Sequence, residues 1–550
     1  MAQFTMLDGA TTIGGTKLLF EAGSSPKSTR LLFDFGLNYA TMGKYFEEFL
    51  TPRTSAGLTD YLTTGLLPRL RFYRSDLTAL LHEMQPDLAG KPADPCHIDA
   101  CFITHAHVDH TGSISFLDET IPLYATPVTA AVLRAVEETQ YSPGPENGVT
   151  DFIVRPNDGA NKHGQRQLID LATPVKSPDS QITAFPVGPS VPVEFPGCWV
   201  TAFPVDHSIP GACAYLIEYD GGKLVYTGDL RFHGRIGPVT RDTVSRLAAA
   251  HPDVLVIEGT NLRGDDTFAA KEPAFARRFK FGSEPDVEAE QKVEDKAREE
   301  VQRARGLVIA DFGMKDLDRL MTFQRVAKET GRKLAILPRD AYIVRMAQEA
   351  GYQKDYKKEE KIDLQDPDVV LYVKRAGSGT YDKGDIKQDW ARSTILRFVG
   401  WAPNSLDVAE KKEAVRDVLN GSCPRVVRAA EVTAHQSEYL LTLGYWDVQE
   451  LCDLHPAPGS LYIHSSAEAF NEEMAWSQDR LAEWLKLTGM DSVHIHASGH
   501  APPEDLFSIV ERLAPRHVYP IHTEHAERYV ERFGDIVSLV ENGRGVTLAR

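Results

Sequence analysis

Short apolar runs closed by polar residues alternate with turn-forming stretches through the first half of the chain. Lys17 to Glu21 and Leu31 to Phe35 read as strands, separated by Gly23-Ser24-Ser25-Pro26, a run whose residues favour turns. Asp34 closes the second of them. A less regular stretch from about 40 to 95 mixes aromatic, basic and proline-containing pieces and reads as inserted helices and loops. The strand signal then returns at Ile98 to Thr104, Trp199 to Phe203, Ala212 to Tyr219, Lys223 to Thr227 and Val254 to Glu258. Unusual residues cluster just after these runs, where a rigid strand exposes side chains for chemistry.

The texture changes at Glu284. Up to Arg305 the chain carries KVEDKAREEVQRAR, whose helical charge pairing predicts a solvated helix face. Strand and helix then alternate, with strands at Gly306 to Ala310, Lys333 to Leu337 and Val369 to Val373, and with Leu317, Leu320, Phe323 and Val326 at helical spacing. That alternation predicts a second α/β domain. Further strands at Leu461 to His464, Val493 to His496 and Val518 to Ile521 again precede polar residues. The reading is a first domain over 1–262 and 460–550, with 263–459 inserted into it. There is no internal repeat and no low-complexity tract.

Composition narrows the picture. A chain of 550 residues exceeds what one hydrophobic core supports, and 42% apolar with 25% charged residues excludes a largely disordered protein. The net charge of -18 excludes indiscriminate electrostatic binding to nucleic acid but leaves room for a local basic groove. MAQFTMLDGATTIGG lacks the basic start and apolar run of a signal peptide, and no long uncharged apolar stretch occurs, so a cytoplasmic protein without membrane attachment is expected. Six cysteines with no CxxC pair suit reduced thiols, which leaves metal chemistry to other ligands.

The strongest local signal is THAHVDHTG, which packs His105, His107, Asp109 and His110 together directly after a strand. On an extended loop alternate side chains project to one side, so His105 and His107 can share a cation while Asp109 and His110 turn toward a neighbouring one. A His-rich surface turn is the plain alternative, but such a density with an aspartate in register is rare by chance. Further along, His207 lies in DHSIPG and Asp229 in YTGDLRFHG. Their separation allows two strands turned at Asp220-Gly221-Gly222, which would bring both to one sheet end.

His-x-His-x-Asp-His is also the signature of the metallo-β-lactamase superfamily, which this chain resembles, and His207 and Asp229 match that family's next ligands. Glu258 after the strand DVLVI, His500 in HASGH and His522 in PIHTE match, in order, the three extra motifs of the nucleic-acid-processing β-CASP branch. With IGG, LLFDFG and TGD added, the resemblance spans nearly the whole chain and is closest to ribonuclease J and its shorter relatives. Two departures stand out. Ribonuclease J carries VHGE where this chain has IHTE, and too few residues follow His522 to hold its appended C-terminal domain.

The resemblance implies an α/β fold, an αββα metallo-β-lactamase sandwich with an inserted α/β β-CASP domain. It implies two zinc ions, with manganese or magnesium as substitutes. His105, His107, His207 and Asp229 would hold one, and Asp109, His110, Asp229 and His522 the other, with Asp229 shared and Asp109 counted also among the catalytic residues. It implies hydroxide attack on a phosphodiester, with His500 as proton donor and Glu258 orienting it. Ser465, Ser466, His496 and Ser498 are candidates for contact with a phosphate or terminal nucleotide, although serines after strands are commonly turn residues. The expected partner is single-stranded RNA, cut as an exo- or endonuclease under a closing second domain, and a homodimer stays open. A DNA-processing nuclease, a small-molecule metallo-hydrolase and a non-catalytic RNA-binding subunit are the rival readings.

Overall fold

A computed structural model describes the chain except for residues 1, 24–27, 48, 54–55, 75–76, 78–96, 119, 140–181, 185–191, 264–288, 355, 357–359, 376–387, 421–422, 468–471 and 549–550. The expected insertion of 40–95 thus lies outside the described residues over most of its second half; its first half includes the helices Tyr39–Tyr45 and Thr59–Thr64. The chain divides into two compact units. One comprises Met1–Phe232, Ile236–Gly264 and His500–Arg550, and the other His233–Arg235 and Asp265–Gly499.

The first unit contains two sheets. Strands β1 (Ala2–Asp8), β2 (Lys17–Ala22), β3 (Thr29–Phe33), β4 (Ala100–Phe102), β5 (Leu123–Ala125) and β6 (Ile182–Ala184) form one, in that order. The other comprises β7 (Val193–Phe195), β8 (Cys198–Pro204), β9 (Cys213–Tyr219), β10 (Gly222–Tyr226), β11 (Val254–Glu258) and, beside β11, the parallel strand His517–Ile521. The terminal strand Gly545–Leu548 closes the first sheet against β1. The hairpin of β9 and β10 turns at Asp220-Gly221-Gly222, as the sequence suggests.

Side-chain alternation explains the layering. In β1 every second residue is buried, and Ala2, Phe4 and Met6 enter a core shared by both sheets. In β11 every residue is buried, because Val254 and Val256 face that core while Leu255 and Ile257 face a second one. The second core is closed by Val244 and Leu247 of the helix Gly237–Ala249 and by Leu506, Ile509, Val510 and Leu513 of the helix Pro503–Leu513. Each such aliphatic side chain contributes about 1.5–3 kcal/mol by leaving water. The helix Pro127–Thr139 packs against the first sheet at β6, and the layers run helix, sheet, sheet, helix. This is the αββα sandwich.

The second unit is built on a seven-stranded, all-parallel sheet. Its strands are β12 (Val308–Asp311), β13 (Lys333–Ile336), β14 (Val369–Tyr372), β15 (Val426–Val427), β16 (Tyr439–Thr442), β17 (Leu461–His464) and β18 (Asp491–His494), arranged β15-β14-β13-β16-β12-β17-β18. Here the organisation departs from expectation. β17 and β18, which the sequence reading placed in the second part of the first domain, extend the sheet of β12, β17 pairing with β12 and β18 with β17, and the chain re-enters the first unit only at His500. The helix Glu290–Arg303 is not simply a solvated face either. Val293, Ala297 and Val301 form a buried stripe at helical spacing, and Glu290 and Glu294 are buried with them against Arg319 and Arg235. Among the described residues, no helix is long and apolar enough to cross a membrane.

Candidate metal centre

The first unit gathers the candidate ligands at the ends of its strands. THAHVDHTG leaves β4 and is sewn to the segment after β3 by backbone bonds from Phe35 N to His110 O (2.8 Å) and Leu37 N to Val108 O (3.0 Å), and to the residue before β2 by Thr16 N to Asp109 O (3.1 Å). That seam needs Gly36, since a Cβ there would stand 1.6 Å from the Asp109 carbonyl oxygen. His207 follows β8, Asp229 follows β10, Glu258 ends β11 and His522 follows the strand beside β11. His522 and Asp34 are non-glycine residues in left-handed backbone, φ 52° and 57°, a costly conformation that clusters at functional sites.

Two donor groups result. In the first, His105 Nε2 and His207 Nε2 lie 3.1 and 3.0 Å from His107 Nδ1. In the second, Asp109, His110, Asp229 and His522 bring one donor atom each to within 4.8 Å of the others. Asp229 stands between the groups. Its Oδ2 is 3.0 Å from His110 Nε2 and 3.7 Å from His105 Nε2, and its Oδ1 is 3.8 Å from His522 Nδ1. The structure thus brings together all seven residues singled out as ligands.

The donor chemistry fits cations. Tetrahedral zinc with Zn–N bonds of about 2.0–2.1 Å needs nitrogens roughly 3.3–3.4 Å apart, near the spacing of the histidine trio. Nε2 of His110 and Oδ2 of Asp229 are buried 3.0 Å apart and neither makes a hydrogen bond among the described residues, so a cation would find two unsatisfied donor atoms there. Burial, with the neighbouring imidazoles, pushes His105 and His207 well below the usual histidine range and keeps them in the neutral, ligating form. Burial works to raise Asp109 and Asp229, but the imidazoles of His110 and His522 outweigh it and hold both carboxyls low and ionised.

A further layer orients these rings, and the sequence reading missed it. Asp34, fully buried, accepts from the Thr104 backbone N–H and hydroxyl (both 2.8 Å), from His110 Nδ1 (2.8 Å) and from the Tyr226 hydroxyl (2.6 Å). Thr104 Oγ1 in turn accepts from His105 Nδ1 at 3.0 Å, and Thr260 Oγ1 from His522 Nδ1 at 2.8 Å. In each ring the far nitrogen is thereby left as the ligating one. The available signal was LLFDFG, in which an acidic residue ends an apolar strand much as Glu258 does.

His500 lies beside this centre with Nδ1 2.9 Å from Glu258 Oε2 and 3.9 Å from Asp229 Oδ2. Burial works to lower its pKa, but Glu258 and then Asp229 outweigh it and raise it to about 9. Glu258 is itself fixed by accepting the Leu230 N–H at 2.8 Å, and Asn261 Nδ2 donates to the His500 carbonyl at 2.8 Å. His500 also forms a third donor group with His207 and Asp229, so geometry alone permits ligation by it.

The four candidate substrate contacts belong to the second unit. Ser465 departs from expectation: it is buried, its hydroxyl donates to Ile495 O (2.6 Å) and accepts from Arg319 (2.6 Å), and its role is to brace the loop. Arg319, also buried, pairs with Glu290 and reaches the Ala497 carbonyl and His496 Nδ1, so His496 belongs to the same brace. The Ser498 carbonyl accepts from His233. Ser466 is half-buried and lines a cavity of that unit.

Comparison with known proteins agrees with this architecture. Residues 76–275 match the beta-lactamase superfamily domain, and residues 490–536 match the Zn-dependent metallo-hydrolase RNA specificity domain. Ribonuclease J of Mycoplasma pneumoniae is 21% identical over 460 residues, 81% of this chain. The match spans 63% of the length of that relative. A solved protein of unknown function from Enterococcus faecalis V583 shares the fold over 100% of both chains, with a TM-score of 0.62 at 20% identity.

Proposed function

From the premise that this chain is a metallo-β-lactamase superfamily protein of the β-CASP branch, similar to ribonuclease J, we propose that it is a metal-dependent ribonuclease. It hydrolyses phosphodiester bonds of single-stranded RNA. The observation that carries this reading is the two donor groups with Asp229 between them and the His500–Glu258 pair alongside. His105, His107 and His207, with Asp229, would hold one cation, and Asp109, His110 and His522, with Asp229 again, the other, zinc being the first candidate because imidazole and carboxylate donors suit it. When bound, two such ions lower the pKa of a water and neutralise charge on a phosphate during in-line attack.

The protein's own groups do the rest. Asp109 and Asp229 stay ionised and set the charge of the site. His500, protonated at neutral pH, gives its proton to the leaving 3′-oxygen. Glu258 keeps that proton in place. Asp34 locks His110, so Asp34→Asn is expected to weaken metal binding by about 10–100-fold with the fold intact, read by competition with a chromophoric chelator. Unchanged affinity would show that the carboxylate does not orient the ring.

The function is tested by digesting matched RNA and DNA strands with metal-loaded protein, with EDTA, and with zinc or manganese restored. Cleavage of RNA over DNA, lost with chelator and regained with metal, is expected. Cleavage of DNA alone, or of lactones and thioesters without either polymer, would replace this reading with another. End-labelled RNA bearing a 5′-monophosphate or 5′-triphosphate, in the same assay, separates exonucleolytic from endonucleolytic products.

A further inference from the structure

The second unit holds a cavity of about 510 Å³ at the carboxyl ends of its parallel strands, a volume suited to a nucleoside-sized ligand. Its position follows from topology. From β12 the chain steps outward through β13, β14 and β15, then β16 returns beside β12, while β17 and β18 extend the other side. The strand order therefore reverses at β16 and β12, and a crevice opens at such a switch point. Asp311 at the end of β12, Thr442 at the end of β16 and His464 at the end of β17 all line it.

The polar groups there are arranged to receive donors. Asp311 is 6% exposed; its Oδ2 accepts from the Tyr462 hydroxyl at 2.7 Å and faces His464 Nδ1 at 3.2 Å. Among the described residues nothing hydrogen-bonds its Oδ1, which is left open on the cavity side to accept from a ligand. The absence of a side chain at Gly444 keeps the approach open, since a Cβ there would stand 3.3 Å from that oxygen. Asp340 is tied in the same way through Oδ2, to Leu337 N and Thr442 Oγ1. Arg339 lines the same space, with a buried Nε that makes no hydrogen bond among the described residues. Phe312, Leu337 and Leu443 supply apolar walls, and Trp446, 88% exposed, stands at the rim.

An apolar slot ending in one open carboxylate oxygen, whose two lone pairs can accept from neighbouring donors, and with an aromatic face at its mouth, fits a flat ring carrying adjacent N–H groups. Among the bases only guanine offers two neighbouring donors, N1–H and N2–H, on one edge. Adenine and cytosine flank a single donor group with an acceptor, and uracil sets its one N–H between two carbonyl oxygens. We propose that this cavity binds a guanine nucleoside, Oδ1 of Asp311 accepting from the base edge, Trp446 stacking on the ring and Arg339 serving O6 or a phosphate. A free nucleotide and a guanosine within a strand share this chemistry. None of the residues lining it is among the metal-ligating ones, and the inference stands whether or not the cleavage reading holds.

The test is calorimetric titration of the full chain in EDTA, which removes metal-dependent binding from the measurement. The titrants are guanosine 5′-monophosphate, adenosine 5′-monophosphate and short oligoribonucleotides with and without one guanosine. Saturable binding of the guanine ligands is expected, at least about tenfold tighter than their adenine counterparts, a difference of one charge-assisted hydrogen bond. Asp311→Asn, Gly444→Val and the surface substitution Trp446→Ala should each weaken it by about tenfold or more. Binding of the mononucleotide identifies a free nucleotide as the source, and binding of the guanosine-containing oligomer alone identifies the strand. No saturable guanine binding, equal binding of adenine, or full binding by the Gly444→Val and Trp446→Ala proteins overturns the assignment.

Discussion

Asp229→Ala is expected to abolish turnover, with a loss on the order of 10³-fold or more, and to cost the protein bound metal at both positions. The magnitude follows from where the carboxylate stands. It lies within reach of both donor groups, 3.0 Å from His110 and 3.7 Å from His105, and it is 2% exposed. Without it, the histidine trio would offer a cation no negative charge, and the other group only that of Asp109, so neither position would offset the charge of a divalent ion as well. His107→Ala removes a ligand from one group only, so it should abolish turnover yet leave about half of the metal.

The two substitutions therefore differ in stoichiometry, and elemental analysis of purified variants reads that difference directly. Asp229→Asn separates charge from packing, because the amide keeps the volume while removing the anion. A melting temperature close to that of the parent, together with loss of metal and activity, is the expected outcome. Full turnover and full metal content in Asp229→Ala and His107→Ala would remove the centre from the mechanism.

Why these ligands were legible in the sequence, and their supports were not, has a physical basis. His105, His107, Asp109 and His110 fall within six residues, the first two on the loop after β4 and the last two on the short helix Val108–Thr111, so their density shows without knowledge of the fold. The hairpin returning His207 and Asp229 to one end was readable from Asp220-Gly221-Gly222, since turn chemistry is local. Asp34 carries no such local mark. Its partners Thr104 and His110 come from one distant segment and Tyr226 from another, so an aspartate ending a strand looks the same whether it orders an active site or faces water.

The same limit explains the boundary. β17 and β18 precede polar residues as the site-bearing strands do, and only pairing with β12 reveals which sheet they extend. Glu290 likewise reads as one charge among many in its helix. Its burial is decided by Arg319, a partner that helical periodicity cannot find. Ser465 was misjudged for that reason too, because the arginine that fills its hydrogen-bonding capacity lies in a distant helix.

His500→Gln is expected to keep its metal while losing about 10²–10⁴-fold in kcat, the contribution of a positioned general acid. The pH profile then tests who holds the proton. With its pKa raised to about 9, His500 is protonated throughout neutral pH, and kcat should fall as pH rises through that region and the donor is lost. Glu258 is the largest of the influences raising it, opposed by burial, so Glu258→Gln must lower the pKa. The alkaline fall in kcat should accordingly move to lower pH in Glu258→Gln, with metal content unchanged, and it should vanish from the residual activity of His500→Gln. A merely structural role for Glu258 would reduce kcat uniformly without moving the profile. Loss of zinc from His500→Gln would instead make that imidazole a ligand, a role that its grouping with His207 and Asp229 also permits.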